Sequence, residues 1–177
     1  NLKFVKNRNF LKTNMVTSMC LAKKYVNDKV IISYTDILYS KSLIRRIIKN
    51  KDDIIPLKKN WVSLWKKRFG SLEKIKKDAE NVVVKNGKIL EIGTKIKDKL
   101  PRYQYMGILK LTKTKFNTIC KIYLDYKNKN IGMTQFLNFL IKKKKINFNY
   151  LNTTSYWFEV DNNKDLSITK KNFLKTK

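Results

Sequence analysis

The sequence predicts one α/β domain, spanning 1–177, with a mixed but mostly parallel sheet and helices on both sides. Short apolar runs typical of buried strands alternate with segments of helical periodicity, which is the pattern of strand–helix–strand units. The length of 177 residues is that of a single domain. A hydrophobic fraction of 42% is too high for a disordered basic tail.

The N-terminal part alternates between strands and helices. A buried run at 30–34 predicts a strand covered on both faces, ending at Thr35-Asp36. Thr13 or Asn14 can cap the first helix, and Pro56 breaks the last strand of this part. The predicted elements are a strand at 2–5, a helix at 14–26, a strand at 30–34, a helix at 40–50 and a strand at 54–55.

The remainder begins with a small β-rich insertion. Residues 81–92 contain two β-prone runs around Asn86-Gly87, a strong hairpin signal. Either Asp161 or Asn162 can cap the final helix. The further predicted elements are a strand at 103–111, helices at 114–126 and 134–142, strands at 146–149 and 155–160, and a helix at 162–174.

The charge balance is strongly basic. The chain has 41 Lys and Arg residues against 13 Asp and Glu, a formal net charge of +28. Such a charge suits nucleic-acid binding, because Lys and Arg neutralise phosphates. However, the Lys residues are spread along the whole chain, and only five basic residues are Arg, the side chain that favours bidentate phosphate and base contacts. We therefore favour a solvated Lys-rich surface, with a nucleic-acid-binding protein as an alternative.

Several kinds of site are excluded by composition. The chain has no His, which rules out a histidine base, a His-ligated zinc and a Ser-His-Asp triad. Cys20 and Cys120 are the two cysteines, too few for a disulfide framework or a four-Cys zinc site. No apolar run reaches the ~18 residues of a membrane span. We expect a reduced, soluble, cytoplasmic protein.

Acidic residues are the natural candidates for chemistry. Asp36 follows a buried strand, where open α/β sheets form their ligand crevice, and could hold Mg²⁺; it could equally cap the next turn. Glu159 and Asp161 point to the same face if their segment is a strand. Two adjacent carboxylates repel each other unless a cation or a shared proton relieves them, and a divalent metal is such a cation. The alternative is that Asp161 caps the last helix while Glu159 pairs with a Lys.

Aromatic residues cluster in three places. Trp61 and Trp65 share one face if their segment is helical. Core packing is the favoured explanation. A pocket for a base or a quaternary ammonium group is the alternative, through stacking or cation–π attraction. The other two clusters are Tyr103 with Tyr105 and Tyr156 with Trp157.

Several ordered segments carry a resemblance that spans nearly the whole chain. They are Asn7-Arg8-Asn9-Phe10 with Thr13-Asn14 and Ser18, Ser33-Tyr34-Thr35-Asp36-Ile37, Asn60-Trp61 through Trp65 and Arg68-Phe69, Asp78-Ala79-Glu80, Ile92-Gly93, Tyr105-Met106-Gly107-Ile108, and Trp157-Phe158-Glu159-Val160-Asp161 with Asp165-Leu166. In this order they resemble the sugar-phosphate nucleotidyltransferase family, in particular its phosphocholine and aminoalkylphosphonate cytidylyltransferases.

The resemblance implies a Rossmann-like nucleotidyltransferase sandwich. It implies a nucleotidyltransferase that uses an NTP, CTP, as donor and transfers its CMP group to a phosphate or phosphonate monoester such as phosphocholine. Pyrophosphate is released, and the implied cofactor is Mg²⁺. Asp36 and Asp161 match catalytic metal-binding positions, with Glu159 as a further metal ligand. Asn14 and Ser18 match positions near the nucleotide. The implied acceptor-binding residues are Trp61, Trp65, Lys95, Gly107 and Trp157.

The sequence also departs from the family pattern. Its glycines are isolated, and nothing matches the Gly-rich loop with Arg and Lys that holds the triphosphate. We therefore expect the domain to be N-terminally incomplete, a fragment of roughly its C-terminal two-thirds to three-quarters, so that the chain alone can lack activity. A metal-dependent glycosyltransferase is a further alternative, although Asp36 stands alone where such enzymes normally present two Asp. Homodimer formation remains open.

Overall fold

A layer of strands separates two groups of helices in the computed structural model, which describes residues 2–173. No helix within these residues is long and apolar enough to cross a membrane. The strands are β1 (Val30–Ser33), β2 (Ile37–Tyr39), β3 (Ile54–Lys59), β4 (Glu80–Lys85), β5 (Lys88–Lys95), β6 (Tyr103–Tyr105), β7 (Ile108–Leu111), β8 (Asn149–Thr153) and β9 (Trp157–Glu159). The helices are α1 (Met15–Leu21), α2 (Lys41–Lys49), α3 (Val62–Phe69), α4 (Leu72–Asp78), α5 (Lys113–Leu124), α6 (Met133–Lys142) and α7 (Asn163–Phe173), with a 3₁₀ turn at Ala22–Tyr25.

The main sheet is mixed and mostly antiparallel. Its strand order is β1-β7-β3-β8-β5-β4, with β6 beside β3. The prediction of a mostly parallel sheet is wrong, because β3–β8 is the one parallel pair among the described strands. β1, β3 and β8 do run in one direction, as the alternation of strands and helices predicts. However, β7 lies between β1 and β3 in the opposite direction, and β5 lies likewise between β8 and β4.

Both faces of this sheet are buried. Along β3, Ile54 packs into one core while Ile55 packs into the other, because successive side chains of a strand point to opposite faces. One core contains residues of α1, α5 and α6, and the other contains residues of α2, α3 and α4. The predicted α/β sandwich is therefore confirmed, with helices on both sides.

Most local signals in the sequence correspond to observed elements. Asn14 caps α1 by accepting a hydrogen bond from the Met15 amide at 2.7 Å. The Asn86-Gly87 hairpin joins β4 and β5 as predicted. The predicted helix at 162–174 appears as α7, with Leu174 outside the described residues. The short elements β2, α3 and α4 have only weak sequence periodicity, and the sequence does not predict them as separate elements.

Two predicted strand features are wrong. Residues 2–5 form no strand; the Leu2 and Phe4 side chains are almost fully exposed, so no neighbouring strand or core holds them extended. Pro56 lies within β3 and does not break it. The antiparallel partner of β3 changes from β7 at Ile54 to β6 at Leu57. The missing Pro56 amide therefore falls in the gap between those two partners, where it costs little.

The predicted strand at 103–111 is interrupted at Gly107. This residue has φ +70° and separates β6 from β7. Its carbonyl accepts a hydrogen bond from the Tyr34 amide at 2.9 Å. A Cβ at this position would lie 2.9 Å from the Tyr34 ring, so the close approach requires glycine.

Replacing Gly107 with Ala is expected to destabilise the protein by about 3 kcal/mol, because a left-handed backbone and a clash with Tyr34 add together. Gly87→Ala is the matched control: φ is +74° and nothing lies within 4 Å of the new Cβ, so only the backbone cost of about 1 kcal/mol remains. Urea denaturation of both variants measures the difference. Equal losses would contradict the close contact with Tyr34.

Candidate active site

Two adjoining cavities open where β1 ends. The smaller has a volume of about 280 Å³ and the larger about 410 Å³. They share Met15, Tyr34 and Met133 as wall residues. The other residues of the smaller cavity are Asn14, Trp65, Asp78, Glu80, Gln104, Tyr105, Gly107, Gly132, Thr134, Gln135, Glu159 and Asp161; those of the larger are Ser18, Met19, Ile32, Ser33, Thr35 and Asp36.

The smaller cavity is acidic although the chain is basic. Asp78, Glu80, Glu159 and Asp161 line it, and no Lys or Arg is among its described wall residues. The formal net charge of the whole chain is +28, so composition does not account for this lining. A cavity with such walls attracts cations.

Arg68 holds three carboxylates together beside this cavity. Its side chain is 2% exposed. The guanidinium donates to Glu159 Oε2 at 2.7 Å and to Asp161 Oδ2 at 2.6 Å. It also donates from Nε and Nη2 to the two oxygens of buried Asp165, at 3.1 Å each. Burial alone would lower the pKa of Arg68, but these hydrogen bonds and charges outweigh burial and raise it, so the guanidinium stays charged.

This arrangement answers a question left open by the sequence. Glu159 and Asp161 are held side by side, and the cation between them is the Arg68 guanidinium, not a Lys. Asp161 does not cap α7; Asn162 does, by accepting from the Asp165 amide at 3.0 Å. The Asp161 side chain remains 46% exposed, so it is accessible from the cavity.

Burial raises the pKa of three of the cavity carboxyls. For Glu80, the charge of Asp78 adds to the rise and a hydrogen bond from Thr134 at 2.7 Å opposes it. For Glu159, burial outweighs the opposing hydrogen bond from Arg68. For Asp78, burial outweighs the hydrogen bond that it accepts from the Trp65 indole at 2.7 Å. In each case the ionised form is less favourable than in water, because burial removes the water that would solvate the charge.

The segments carrying Asp36 and Asp161 are neighbours. β2 and β9 form a two-stranded antiparallel sheet, and the Val160 amide donates to the Asp36 carbonyl at 2.8 Å. Asp36 is exposed in the wall of the larger cavity, and Asp161 lies in the wall of the smaller. Residues 2–173 contain no cluster of three Asp, Glu, Cys or His side chains arranged to hold a metal. Two carboxylates do fit Mg²⁺, because this ion takes one or two carboxylates and completes its shell with water and substrate phosphate.

No protein-family model matches the chain. One curated protein is similar in sequence. The CTP:phosphoglutamine cytidylyltransferase of Campylobacter jejuni is 35% identical over 184 aligned positions, which cover 93% of this chain and 70% of the relative. The chain belongs to the sugar-phosphate nucleotidyltransferase family.

Solved structures of this family share the fold. The inositol-1-phosphate CTP transferase of T. maritima aligns with a TM-score of 0.71 at 16% identity, over 94% of this chain and 63% of that protein. The CTP:phosphocholine cytidylyltransferase of Streptococcus pneumoniae aligns with a TM-score of 0.66 at 14% identity, over 97% of this chain and 69% of that protein. The chain thus spans 63–70% of the length of these relatives.

In this family member the three tryptophans pack mainly against each other. Trp65 stacks on Trp157 with ring centroids 5.3 Å apart and meets Trp61 edge-on at 5.5 Å. Each is at most 2% exposed, and each indole N–H donates to a protein oxygen. Trp65 lines the smaller cavity, whereas Trp157 lines another hollow together with Lys58.

The other predicted site residues divide between the cavities. Asn14 and Gly107 line the smaller one, and Ser18 lines the larger. Lys95 lies apart from both, at the end of β5 in a hollow with Lys97 and other polar residues. The structure thus brings Asn14, Ser18 and Gly107 together with the acidic residues, and it does not bring Lys95 there.

Sequence reasoning missed the role of Arg68 and the cavity positions of Asp78, Glu80 and Gln104. One signal for Arg68 was available: it is one of five arginines in a chain that otherwise uses Lys. An Arg that stands among many Lys suggests a site needing several hydrogen bonds in fixed directions, which Lys cannot make. No local pattern marks Gln104, because only the sheet brings it to the cavity.

Replacing Arg68 with Met should lower the free energy of unfolding by about 3 kcal/mol, because it leaves buried Asp165 without its counter-charge. Arg68→Lys should recover only part of this loss, since one ammonium cannot reach three carboxylates. The exposed Arg45→Met is the control and should change stability little. Chemical denaturation checks all three, and a stable Arg68→Met protein would contradict the assigned role.

Glu80→Gln should raise the melting temperature at pH 7. The raised pKa means that ionised Glu80 destabilises the fold at pH values above its ordinary value of 4.5, whereas Gln keeps the acceptor used by Thr134 and Gln135. The gain should disappear as the pH falls below 4.5, where the carboxyl is protonated in both the folded and the unfolded chain. Thermal unfolding from pH 3 to 8 tests this, with exposed Glu73→Gln as control; a gain that is independent of pH would contradict it.

Proposed function

We propose that the protein transfers a cytidylyl group from CTP to a compact phosphate or phosphonate monoester, releasing pyrophosphate. The observation that carries the proposal is the junction of the two cavities. Asp36 belongs to the wall of one and Asp161 to the wall of the other, on segments joined by the hydrogen bond from Val160 to Asp36. Family membership and the names of the relatives support this reaction class.

In this proposal the larger cavity holds the nucleotide. Its wall contains Ser18, which lies in α1, and Asp36, which follows β1 in the chain. Asn14, which caps this helix, contributes to the smaller cavity. The nucleotide phosphates would then lie towards Asp36, at the end of the strand.

The smaller cavity holds the acceptor in this proposal. Glycine at 107 allows the chain to approach Tyr34 closely, and both residues line this cavity. The attacking atom is a phosphate or phosphonate oxygen, which is already ionised near pH 7. Such a nucleophile needs orientation and charge compensation more than a base, which agrees with the absence of His from the chain.

Asp36 and Asp161 would hold Mg²⁺, which when bound offsets the negative charge of the phosphates. Arg68 keeps Asp161 in place through Oδ2. Glu159 contacts the same guanidinium but is less accessible, with a side chain 25% exposed against 46% for Asp161, so we assign it to shaping the acidic wall rather than to the metal. A cytoplasmic location is part of the proposal, and the free thiols of Cys20 and Cys120 are compatible with it.

The test is an assay of pyrophosphate release by the protein expressed from its complete reading frame, with CTP, Mg²⁺ and small phosphate and phosphonate monoesters. Asp36→Ala and Asp161→Asn should each lower kcat by a factor on the order of 10² or more, because each removes charge stabilisation from the transition state. Exposed Asp28→Ala is the matched control and should stay within about twofold of the unmodified protein, as expected of a residue that touches no reacting group.

Two outcomes would contradict the proposal. One is full activity of Asp36→Ala. The other is the absence of CTP-dependent pyrophosphate release with every monoester tested, when CTP and the protein are both shown to be intact.

A further inference from the structure

The two cysteines of the chain lie on facing helices. Cys20 is in α1 and Cys120 is in α5, and both thiols are free. One turn away from each cysteine, the hydroxyls of Thr17 and Tyr123 are hydrogen-bonded to each other. Residues three apart on a helix share one face, so this contact turns the two faces that carry the cysteines towards each other.

A surface hollow gives the same arrangement from the other side. Cys20 lines this hollow together with Lys113 and Asn117 of α5. Lys113, Asn117 and Cys120 follow one another at the i, i+4, i+7 spacing of a single helix face. The two thiols are hydrogen-bonded to each other. Cys20 is half-buried and Cys120 is 1% exposed, so Cys20 is the thiol that solvent reaches from the hollow.

The surroundings favour ionisation of one thiol of the pair. The hydrogen bond from Cys20 lowers the pKa of Cys120 and outweighs the opposing effect of burial. The same hydrogen bond, together with burial, raises the pKa of Cys20. The positive charge of Lys23 acts to lower both pKa values. A thiolate in contact with a thiol supplies both the nucleophile and the resolving group that disulfide formation needs.

We propose that Cys20 and Cys120 are a redox modification site, at which a hydroperoxide such as hydrogen peroxide produces a reversible disulfide between α1 and α5. The thiolate sulfur attacks one peroxide oxygen, the O–O bond breaks, and hydroxide leaves as a sulfenic acid forms. The remaining thiol attacks that sulfur, the S–S bond forms, the S–O bond breaks, and the thiol proton leaves with the hydroxyl group as water. Two electrons pass from the sulfurs to the peroxide, whose second oxygen becomes water when the hydroxide takes up a proton.

This disulfide also changes the wall of the larger cavity. The two free sulfurs must approach to the S–S bond length of about 2.05 Å, so one of the helices has to move. Two residues of α1 are buried, against four of α5, so we expect α1 to be the helix that moves. Ser18 and Met19 of α1 line the larger cavity. Oxidation should therefore shift this part of the cavity wall.

The first experiment treats the 177-residue chain with a small excess of hydrogen peroxide and follows its free thiols and intact mass. We expect both thiols to disappear together, the mass to fall by two hydrogen atoms, and dithiothreitol to restore both thiols. Cys20→Ser and Cys120→Ala are the controls, and neither should lose hydrogen. Persistence of both thiols, a gain of oxygen by the unmodified chain, or a disulfide between two chains would overturn the proposal.

The second experiment measures the rate at which peroxide consumes the thiols. Lys23→Gln should slow this reaction severalfold, because less of the pair is then present as thiolate. Lys24→Gln is the matched control, since it removes another exposed Lys from the same hollow, and it should slow the reaction less. No slowing in Lys23→Gln, or equal slowing in both variants, would overturn activation of the pair by Lys23.

The third experiment compares backbone amide NMR signals of the reduced and oxidised chain. Tyr34 and Asp36 share the larger cavity with Ser18, so their signals should shift when α1 moves. Gly87, at the turn of the β4–β5 hairpin, serves as the reference and should not shift. A disulfide that leaves the Tyr34 and Asp36 signals unchanged would overturn its effect on the cavity. The three experiments contain neither CTP nor metal, so their outcome is independent of the proposed function.

Discussion

The contact of one guanidinium with three carboxylates organises the site. Arg68 comes from α3, Glu159 ends β9, Asp161 lies in the connection and Asp165 lies in α7. The buried Asp165 pair fixes the guanidinium, because two oxygens receive two parallel N–H groups. The other N–H groups then determine where Glu159 and Asp161 stand. Without this cation, adjacent acids would repel each other or take up protons.

The acidic cavity makes sense of the charge of the chain. Most of the Lys residues are solvated and spread over the surface, whereas four of the 13 acids line one cavity without a basic neighbour in its described walls. The net charge of the chain is therefore a poor guide to the ligand, and the charge of the cavity lining is a better one. A basic exterior attracts anions in general, whereas the acidic cavity attracts cations.

Local signals predicted what depends on neighbouring residues. The Asn86-Gly87 turn, the Asn14 cap and the helices around α5 and α6 follow from turn chemistry, capping and apolar periodicity. Strand direction was not predictable in this way. The order of β1, β7 and β3 places a late strand between two early ones, which no pattern within β1 or β3 encodes. The same holds for Gly107, whose conformation depends on the approach of Tyr34 across the chain.

The sequence by itself determined the family and the α/β layering, and it singled out Asp36 and Asp161 as candidate site residues. Motif order and the positions where strands end can both be read along the chain without knowing its contacts. Only the tertiary structure decided which cation stands between Glu159 and Asp161, that the tryptophans are packing residues first, and that Gln104 faces an acidic cavity. The physical reason is that these features depend on contacts between residues far apart in sequence. Arg68 and Asp165 meet across 97 positions, and their pairing energy exists only once α3 and α7 have packed.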